Sequence, residues 1–290
     1  MVETNQVNPI GLYIVSTPIG NLSDISLRAI DILKIVDLIA CEDTRVSGGL
    51  LAHYGINKPL ISYNDHNGDE RRPEILAEIA RGRRVALISD AGTPLVSDPG
   101  YKLVREALAK DIYVTAIPGA SSVLAALCLS GLPSDSFFFG GFLPSKSEAL
   151  RKYITSLVPV PATLIFFESA RRLEESLAVL RDVLKDRQAA IVREITKLYE
   201  ESRRGKLSEL LDNIEKNGAP KGEVVIVIAP PQNVEIIEKQ QVEEHLEMLL
   251  KSHSVKEAAT IIAEQTGQSR KEIYASALKI LEKTQHKRGE

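Results

Sequence analysis

Four short stretches of the chain place small, conformationally special and titratable residues directly after apolar runs: "STPIGN" (Ser16–Asn21), "CEDTR" (Cys41–Arg45), "SDAGTPLVSDPG" (Ser89–Gly100) and "IPGASS" (Ile117–Ser122). Gly20, Gly92 and Gly119 let backbone come close to a ligand, and Pro18, Pro94, Pro99 and Pro118 fix the loops so that little ordering entropy is lost on binding. One such stretch is ordinary turn chemistry. A series of four after successive apolar runs describes a ligand cradle. What is missing narrows the ligand: "TPIGNL" holds a single glycine, so there is no Gly-x-Gly-x-x-Gly fingerprint, and no Gly-Lys-Ser/Thr loop occurs. An ordinary dinucleotide or nucleoside-triphosphate site, and with it a dehydrogenase, is disfavoured.

The elements that must carry these loops are legible upstream of each. "GLYIVS" (Gly11–Ser16), "DLIAC" (Asp37–Cys41), "RVALIS" (Arg84–Ser89) and "IYVTAI" (Ile112–Ile117) have strand length and β-branched content. Leu22, Ile25, Ala29, Ile32, Leu33 and Val36 recur as one stripe of a helix, and "YKLVREALAK" (Tyr101–Lys110) is a second helical segment. Strand and helix alternating in this way predict a parallel sheet, because each parallel neighbour requires a crossover. In such sheets ligands sit beyond the carboxyl ends of the strands, where helix N-termini present free N–H groups.

Composition shifts at "SGLPSDSFFFGGFLPSKS" (Ser130–Ser147), which marks a domain boundary. Further strands are predicted at Ala162–Glu168, Ala189–Ile195 and Gly222–Pro230, with helical segments at Arg171–Leu184 and Leu207–Lys216 between them. "PPQNVEIIEKQQ" reads as a linker. The tail carries two Ser-x-x-Glu boxes, Ser254–Glu257 and Ser269–Glu272, which start helices by capping orphan N–H groups. "TGQS" between them suggests a helix-turn-helix. The expected fold is therefore α/β: an N-terminal, mostly parallel domain over 10–130, a C-terminal mixed-sheet domain over 131–232, and a helical module over 240–290.

A formal net charge of −3 means that a nucleic-acid partner must be met by a local basic patch. From Gln241 to Glu290 eight Lys/Arg are balanced by eight Asp/Glu, so the footprint of a free-standing DNA reader is missing. The module either helps to grip a large partner or packs as a helical cap. Cys41 and Cys128, each in an apolar segment, read as buried small hydrophobes in a reducing compartment, with no metal-ligand cluster. No basic, apolar leader and no membrane-length apolar run is present, which implies a cytoplasmic protein.

Together, "TPIGNLSDISLRAIDIL", "ACEDTR", "LISDAGTPLVSDPGY", "IPGASS", "FFESARR", "REITKLYEE" and "KGEVVIVI" closely resemble the tetrapyrrole (corrin and porphyrin) methylase superfamily, in its branch that methylates ribosomal RNA of the small subunit. "PGASS" alone points only to the superfamily; "TPIGNL" joined to "EDTR" and "SDAGTPLVSDPG" points to the rRNA branch. The resemblance implies S-adenosylmethionine as methyl donor, held in a cleft between the two α/β domains. It implies as acceptor a decoding-centre cytidine ribose of 16S rRNA within the small ribosomal subunit, giving a 2′-O-methylcytidine, and it implies a homodimer. The donor-binding loops map onto Pro18 and Gly20, onto Asp90, Ala91, Gly92, Thr93 and Pro94, and onto Ser121 and Ser122. The adenine would lean on backbone near "FFES" and the strand Val224–Ile228.

Methyl transfer to a ribose hydroxyl is an in-line displacement that gains from alignment and from a general base or a cation near the developing alkoxide. Glu42, Asp43, Asp90, Glu168, Glu194 and Lys197 fall at strand ends or in the motif loops and are the candidates, each also able to serve as a salt-bridge partner or helix cap. Asp43-Thr44, for example, can cap a helix beginning near Arg45. Phosphates require Lys or Arg, and an unpaired base stacks on aromatic or guanidinium planes. Arg45, Lys146, Arg171, Arg172, Lys197, Arg203 and Arg204 are the cationic candidates, with Tyr63, Tyr199 and Phe137–Phe139 as platforms, the phenylalanines more naturally core. Arg81, Arg83 and Arg84 belong to a solvated turn at the opposite sheet edge. Two other readings fit parts of the pattern: methylation of a small tetrapyrrole or other metabolite, and a regulator whose tail reads DNA while the α/β body senses a ligand.

Overall fold

A computed structural model describes residues 8–231, 239–250, 253–266 and 269–286. In chain order the first half runs β1 (Gly11–Val15), α1 (Leu27–Ile35), β2 (Leu38–Cys41), α2 (Thr44–His53), β3 (Leu60–Ser62), α3 (Gly68–Ala80), β4 (Val85–Ile88), α4 (Tyr101–Ala109), β5 (Tyr113–Ile117) and α5 (Ser122–Ser130). Its strands are all parallel, in the order β3-β2-β4-β1-β5. β2 and β4 are buried throughout, because helices cover both faces. Tyr13, Val15, Ile39, Cys41, Ala86 and Ile88 meet Ala29, Ile32 and Leu33 of α1 and Leu51 of α2 on one face. Leu12, Ala40, Val85 and Leu87 meet Ile75, Leu76 and Ile79 of α3 and Leu103 and Ala107 of α4 on the other. The single apolar stripe expected from Leu22 to Val36 is broken: Leu22–Asp24 form one turn of 3-10 helix and Leu22 is exposed, while α1 begins afresh with the Ser26 hydroxyl accepting from Ala29 N–H at 3.1 Å.

The second half runs β6 (Phe137–Phe142), α6 (Ser147–Leu157), β7 (Thr163–Ser169), α7 (Leu173–Leu184), β8 (Gln188–Arg193), β9 (Glu201–Lys206), α8 (Leu207–Asn217) and β10 (Glu223–Ile228). The sheet is mixed, in the order β6-β7-β10-β8-β9, with only β6 and β7 parallel. Val123, Ala126 and Leu127 of α5 pack on Ile165, Ala190, Val192, Val225 and Val227 of this sheet, so the last helix of the first half covers a face of the second. On the opposite face Phe166 meets Tyr153 of α6 edge-on at 6.2 Å. The two sheets form one compact unit, made of Ala162–Pro230 and the described chain up to Leu157; Val158–Pro161 and the chain after Pro230 fall in a second unit.

That second unit contains α9 (Lys239–Leu249), α10 (Val255–Thr266) and α11 (Arg270–His286), whose shared core is Leu246, Ala258, Ala259, Ile262, Ile273, Ala277 and Ile280. Ser254 and Glu257 form the expected reciprocal cap at the start of α10. Most of the expected linker, and Gly267-Gln268 of "TGQS", lie outside the described residues.

One expectation is corrected: Cys41 is buried, but Cys128 is exposed, because it lies on the face of α5 turned away from the sheet that Ala126 and Leu127 bury. Among the described residues no helix is long and apolar enough to cross a membrane. Truncating Leu127 removes side-chain packing from the contact between α5 and the second sheet. Leu127→Ala is expected to lower the unfolding free energy by about 2–5 kcal/mol, measured by urea denaturation. A loss below about 0.5 kcal/mol, the size of a surface substitution, would show that this contact does not hold the halves together.

Candidate functional site

Strand order decides which loops can meet. β1 lies between β4 and β5, so the loops after these three strands lie side by side at the carboxyl ends. Thr17 and Gly92 pair as an antiparallel bridge: Thr17 N–H donates to Gly92 O at 2.9 Å, and Gly92 N–H to Thr17 O at 3.1 Å. The Thr17 hydroxyl donates to Ser89 O at 3.0 Å, and the Ser89 hydroxyl to Gly92 O at 3.1 Å. Thr93 reaches the third loop by donating to Ala120 O at 3.1 Å, and its hydroxyl also shares a 3.1 Å hydrogen bond with that of Ser16. Gly92 makes this possible with φ of +89°, a conformation side chains resist.

These loops face the second sheet across a cleft of about 460 Å³. From the first half Ala91, Gly92, Thr93, Ser121 and Ser122 line it, joined by Ile19, Val96, Ser97 and Asp98. From the second come Phe142, Phe167, Glu168, Ser169, Glu223 and Val225, among others. Pro18, Gly20, Asp90 and Pro94, expected with the donor-binding loops, do not line the cleft; they belong to the loops that carry its wall. Gly20 is closed over by a lysine: an added Cβ there would lie 2.5 Å from Lys197 Cγ. Ser121 caps α5 by accepting from Leu124 N–H, which leaves the first turn of that helix at the cleft.

The candidate acids and bases divide among three places. Glu42, Asp43 and Asp90 line a separate recess of about 370 Å³ with Thr44, Ser62 and Asn64. Asp43 caps α2 through Arg45 N–H at 2.8 Å and pairs with the Arg45 side chain at 2.6 Å, which together hold its carboxyl down at about 2. Asp90 accepts from Asp43 N–H at 3.1 Å. Burial and the charges of Asp90, Asp65 and Asp43 push Glu42 above the usual carboxylate range. Glu194 and Lys197 form a second group with Glu223: Lys197 Nζ lies 3.1 Å from Glu194 and 2.8 Å from Glu223. The Glu223 backbone N–H and Lys197 lower the Glu194 carboxyl, and Glu223 raises the Lys197 amine. Glu168 lies in the cleft wall, accepting from Ser169 N–H at 2.7 Å and from the Ser176 hydroxyl, with Arg172 at 3.2 Å.

The cationic candidates differ in what already holds them. Arg172 donates to Pro144 O at 2.7 Å and to Leu143 O, Arg203 to Glu201 and Asn213 at 2.7 Å each, and Arg204 to Leu129 O at 2.8 Å. Lys146 and Arg171 are exposed. The Arg81, Arg83 and Arg84 turn pairs with Glu78 and Asp37. Tyr63 cannot serve as a platform, being 3% exposed in the first sheet's core, whereas Tyr199 is 68% exposed. Phe139 stacks edge-on against Phe167 at 4.9 Å; the exposed aromatic in the cleft is Phe142, which sequence reasoning missed together with Ser97, Asp98 and Glu223. Asp98 sits inside the quoted Ser89–Gly100 stretch, and its burial beside Glu42 pushes its carboxyl up to about 6.

Residues 11–211 match the family described as Tetrapyrrole (Corrin/Porphyrin) Methylases, and residues 238–281 match the RsmI C-terminal HTH domain. A protein of Mesorhizobium japonicum named "Ribosomal RNA small subunit methyltransferase I" is 48% identical over 93% of this chain and 92% of its own length. One of the same name from Escherichia coli O157:H7 is 42% identical over 92% and 94%. Among solved structures, a diphthine synthase aligns with TM-score 0.59 and 19% identity over 75% of this chain and 89% of its own, and a cobalt precorrin-4 methyltransferase with TM-score 0.55 and 17% identity over 77% and 98%. These last two share the fold. Gly92→Ala tests the loop lattice: an alanine must take the left-handed φ and bring Cβ to 3.2 Å from Ile19 Cγ2. The expected cost is about 1–2 kcal/mol, read from urea denaturation, and an unchanged midpoint would show that the loops bear no such constraint.

Proposed function

The chain belongs to the tetrapyrrole (corrin/porphyrin) methylases and, within them, to the ribosomal RNA small subunit methyltransferase I family, and from that membership we propose that it transfers a methyl group from S-adenosylmethionine to the 2′-hydroxyl of a decoding-centre cytidine in 16S rRNA of the small ribosomal subunit. The observation that carries this reading is the cleft in which the loops after β4, β1 and β5 face the second sheet. Its volume lies in the range of small-molecule sites. Its lining suits the donor's three parts. Phe142, Phe167 and Val225 offer apolar faces to an adenine; the hydroxyls of Thr93 and Ser169 suit a ribose; Ser121 and Ser122 at the first turn of α5 suit a carboxylate. The exposed carboxylate of Glu223 favours a cationic ligand.

The donor supplies a methyl group already activated by its sulfonium, so this chain contributes alignment and a place for a proton. The Thr17–Gly92 bridge fixes the wall against which the two reactants align. On the RNA side, the exposed cations Arg171 and Lys146 follow Ser169 and Phe142 of the cleft wall by two and four residues in sequence. Arg45 presents a third at the acidic recess. Arg172 and Arg203 hold carbonyls and side chains of the second half, Arg204 holds the Leu129 carbonyl of α5, and all three serve as framework for this face.

The test is transfer of labelled methyl to undermodified small subunits, naked 16S rRNA and a tetrapyrrole precursor in parallel. An alkali-resistant linkage at a decoding-centre cytidine is expected. Label on the tetrapyrrole alone would keep the donor site and reject the RNA acceptor. Arg171→Glu is expected to weaken subunit binding about tenfold and to reduce the salt slope by roughly 1, with donor affinity unchanged by calorimetry. Undiminished turnover at moderate salt would place the RNA elsewhere.

A further inference from the structure

Three carboxylates line the cleft: Asp98, Glu168 and Glu223. Two already have strong partners. Glu168 accepts from the Ser169 N–H and the Ser176 hydroxyl and pairs with Arg172, with its side chain 1% exposed. Glu223 pairs with Lys197 at 2.8 Å, and its side chain is 79% exposed. Asp98 has no cation among the described residues; Ser89, whose hydroxyl donates to Gly92 O, is the polar side chain beside it. Its chain segment is also held in a costly shape. Leu95 and Ser97 on either side of Val96 take φ of +73° and +64°, a region that non-glycine residues enter at a cost of order 1–3 kcal/mol each. Leu95 packs against the core of the first sheet, which fixes the turn that delivers Ser97 and Asp98 to the cleft wall.

Resting on the methyl-transfer reading above, we infer that Asp98 is the general base of the reaction, the group that takes the proton from the acceptor hydroxyl. As the new oxygen–carbon bond forms, the carbon–sulfur bond of the sulfonium breaks and its electron pair stays on sulfur as a neutral thioether. The hydroxyl proton passes to the Asp98 carboxylate and from there to solvent. The electrostatics suit this role: burial first, and then Glu42 at the end of β2, with smaller contributions from Asp90 after β4 and Asp65 after β3, raise the Asp98 carboxyl to about 6. At neutral pH it remains mostly ionised, yet it is basic enough to accept a proton.

The experiment compares the full-length wild type with Asp98→Asn in single-turnover methyl transfer to saturating, undermodified small subunits between pH 5 and 9, alongside donor binding by calorimetry and carbon-13 titration of aspartate carboxyls without donor. The wild-type rate is expected to rise about tenfold per pH unit below about 6 and then to level, because the carboxylate must be deprotonated to act. The Asn variant is expected to bind the donor within twofold of wild type, to unfold at an unchanged midpoint, to transfer about 10²–10⁴-fold more slowly, and to lose both the acid limb and a carboxyl resonance titrating near 6. Wild-type transfer with an Asn variant within threefold of it would overturn the assignment alone, as would a fall in rate matched by lost donor affinity, which marks a binding role. A wild type that labels no RNA would overturn the methyl-transfer reading and this inference with it.

Discussion

Two backbone hydrogen bonds between Thr17 and Gly92 cross the gap between the loops after β1 and β4 and pin them together beyond the sheet's edge. Parallel strands provide no such register of their own once they end, since the ladder stops and each loop turns toward its own helix. The bridge is antiparallel although the strands are parallel. One loop must therefore reverse direction, and the left-handed Gly92 is where it does. Thr93 then extends the lattice to Ala120, so a single reversal sets the spacing of three loops. Gly92 and Thr93 in the cleft wall, and Ser121 and Ser122 directly after Ala120, take their positions from that lattice.

The strand order β3-β2-β4-β1-β5 adds a second constraint. β4 borders β1 on one side and β2 on the other, so its following loop faces both the cleft and the acidic recess. Asp90 lies on the recess side with Glu42 and Asp43, and Asp98 on the cleft side. Charges on one side therefore tune a carboxyl on the other, although no ligand need enter the recess. Burial raises the Asp98 carboxyl first, and Glu42 adds to it across this loop; within the recess, burial and then Asp90 raise Glu42.

The central strands β2 and β4 were readable because a strand buried on both faces must be a continuous apolar run. β3, β6 and β9 were not. "LIS" has three residues; "FFFGGF" looks like a boundary; "ESRRGK" is polar and becomes an edge strand only through its pairing with β8. Leu22 fits the helical stripe by spacing, but a Ser26 cap nearby starts the helix later. In the site, glycine and proline mark the loops whatever surrounds them, whereas the environment of Asp98 depends on Glu42 and Asp65, which strand order brings near. Phe142 was hidden for a related reason: it gains its meaning from lying beside Phe167 across a strand pairing.

The division of charge follows from the same geometry and bears on what can enter. The chain carries a net charge of −3, and three of its candidate arginines are already held, Arg172 and Arg203 by groups of the second half and Arg204 by the Leu129 carbonyl of α5. The cleft itself holds carboxylates, so a phosphate moving inward loses favourable contacts and meets like charge. Exposed cations follow the lining residues in sequence, at Lys146 and Arg171. On the proposed reading this polarity sorts a nucleotide into its parts. The backbone phosphates stay with the outer cations, and the neutral ribose edge is the portion that can advance to a carboxylate. An acceptor with its anionic groups around the reacting oxygen would be turned away by the same wall that admits a cationic donor.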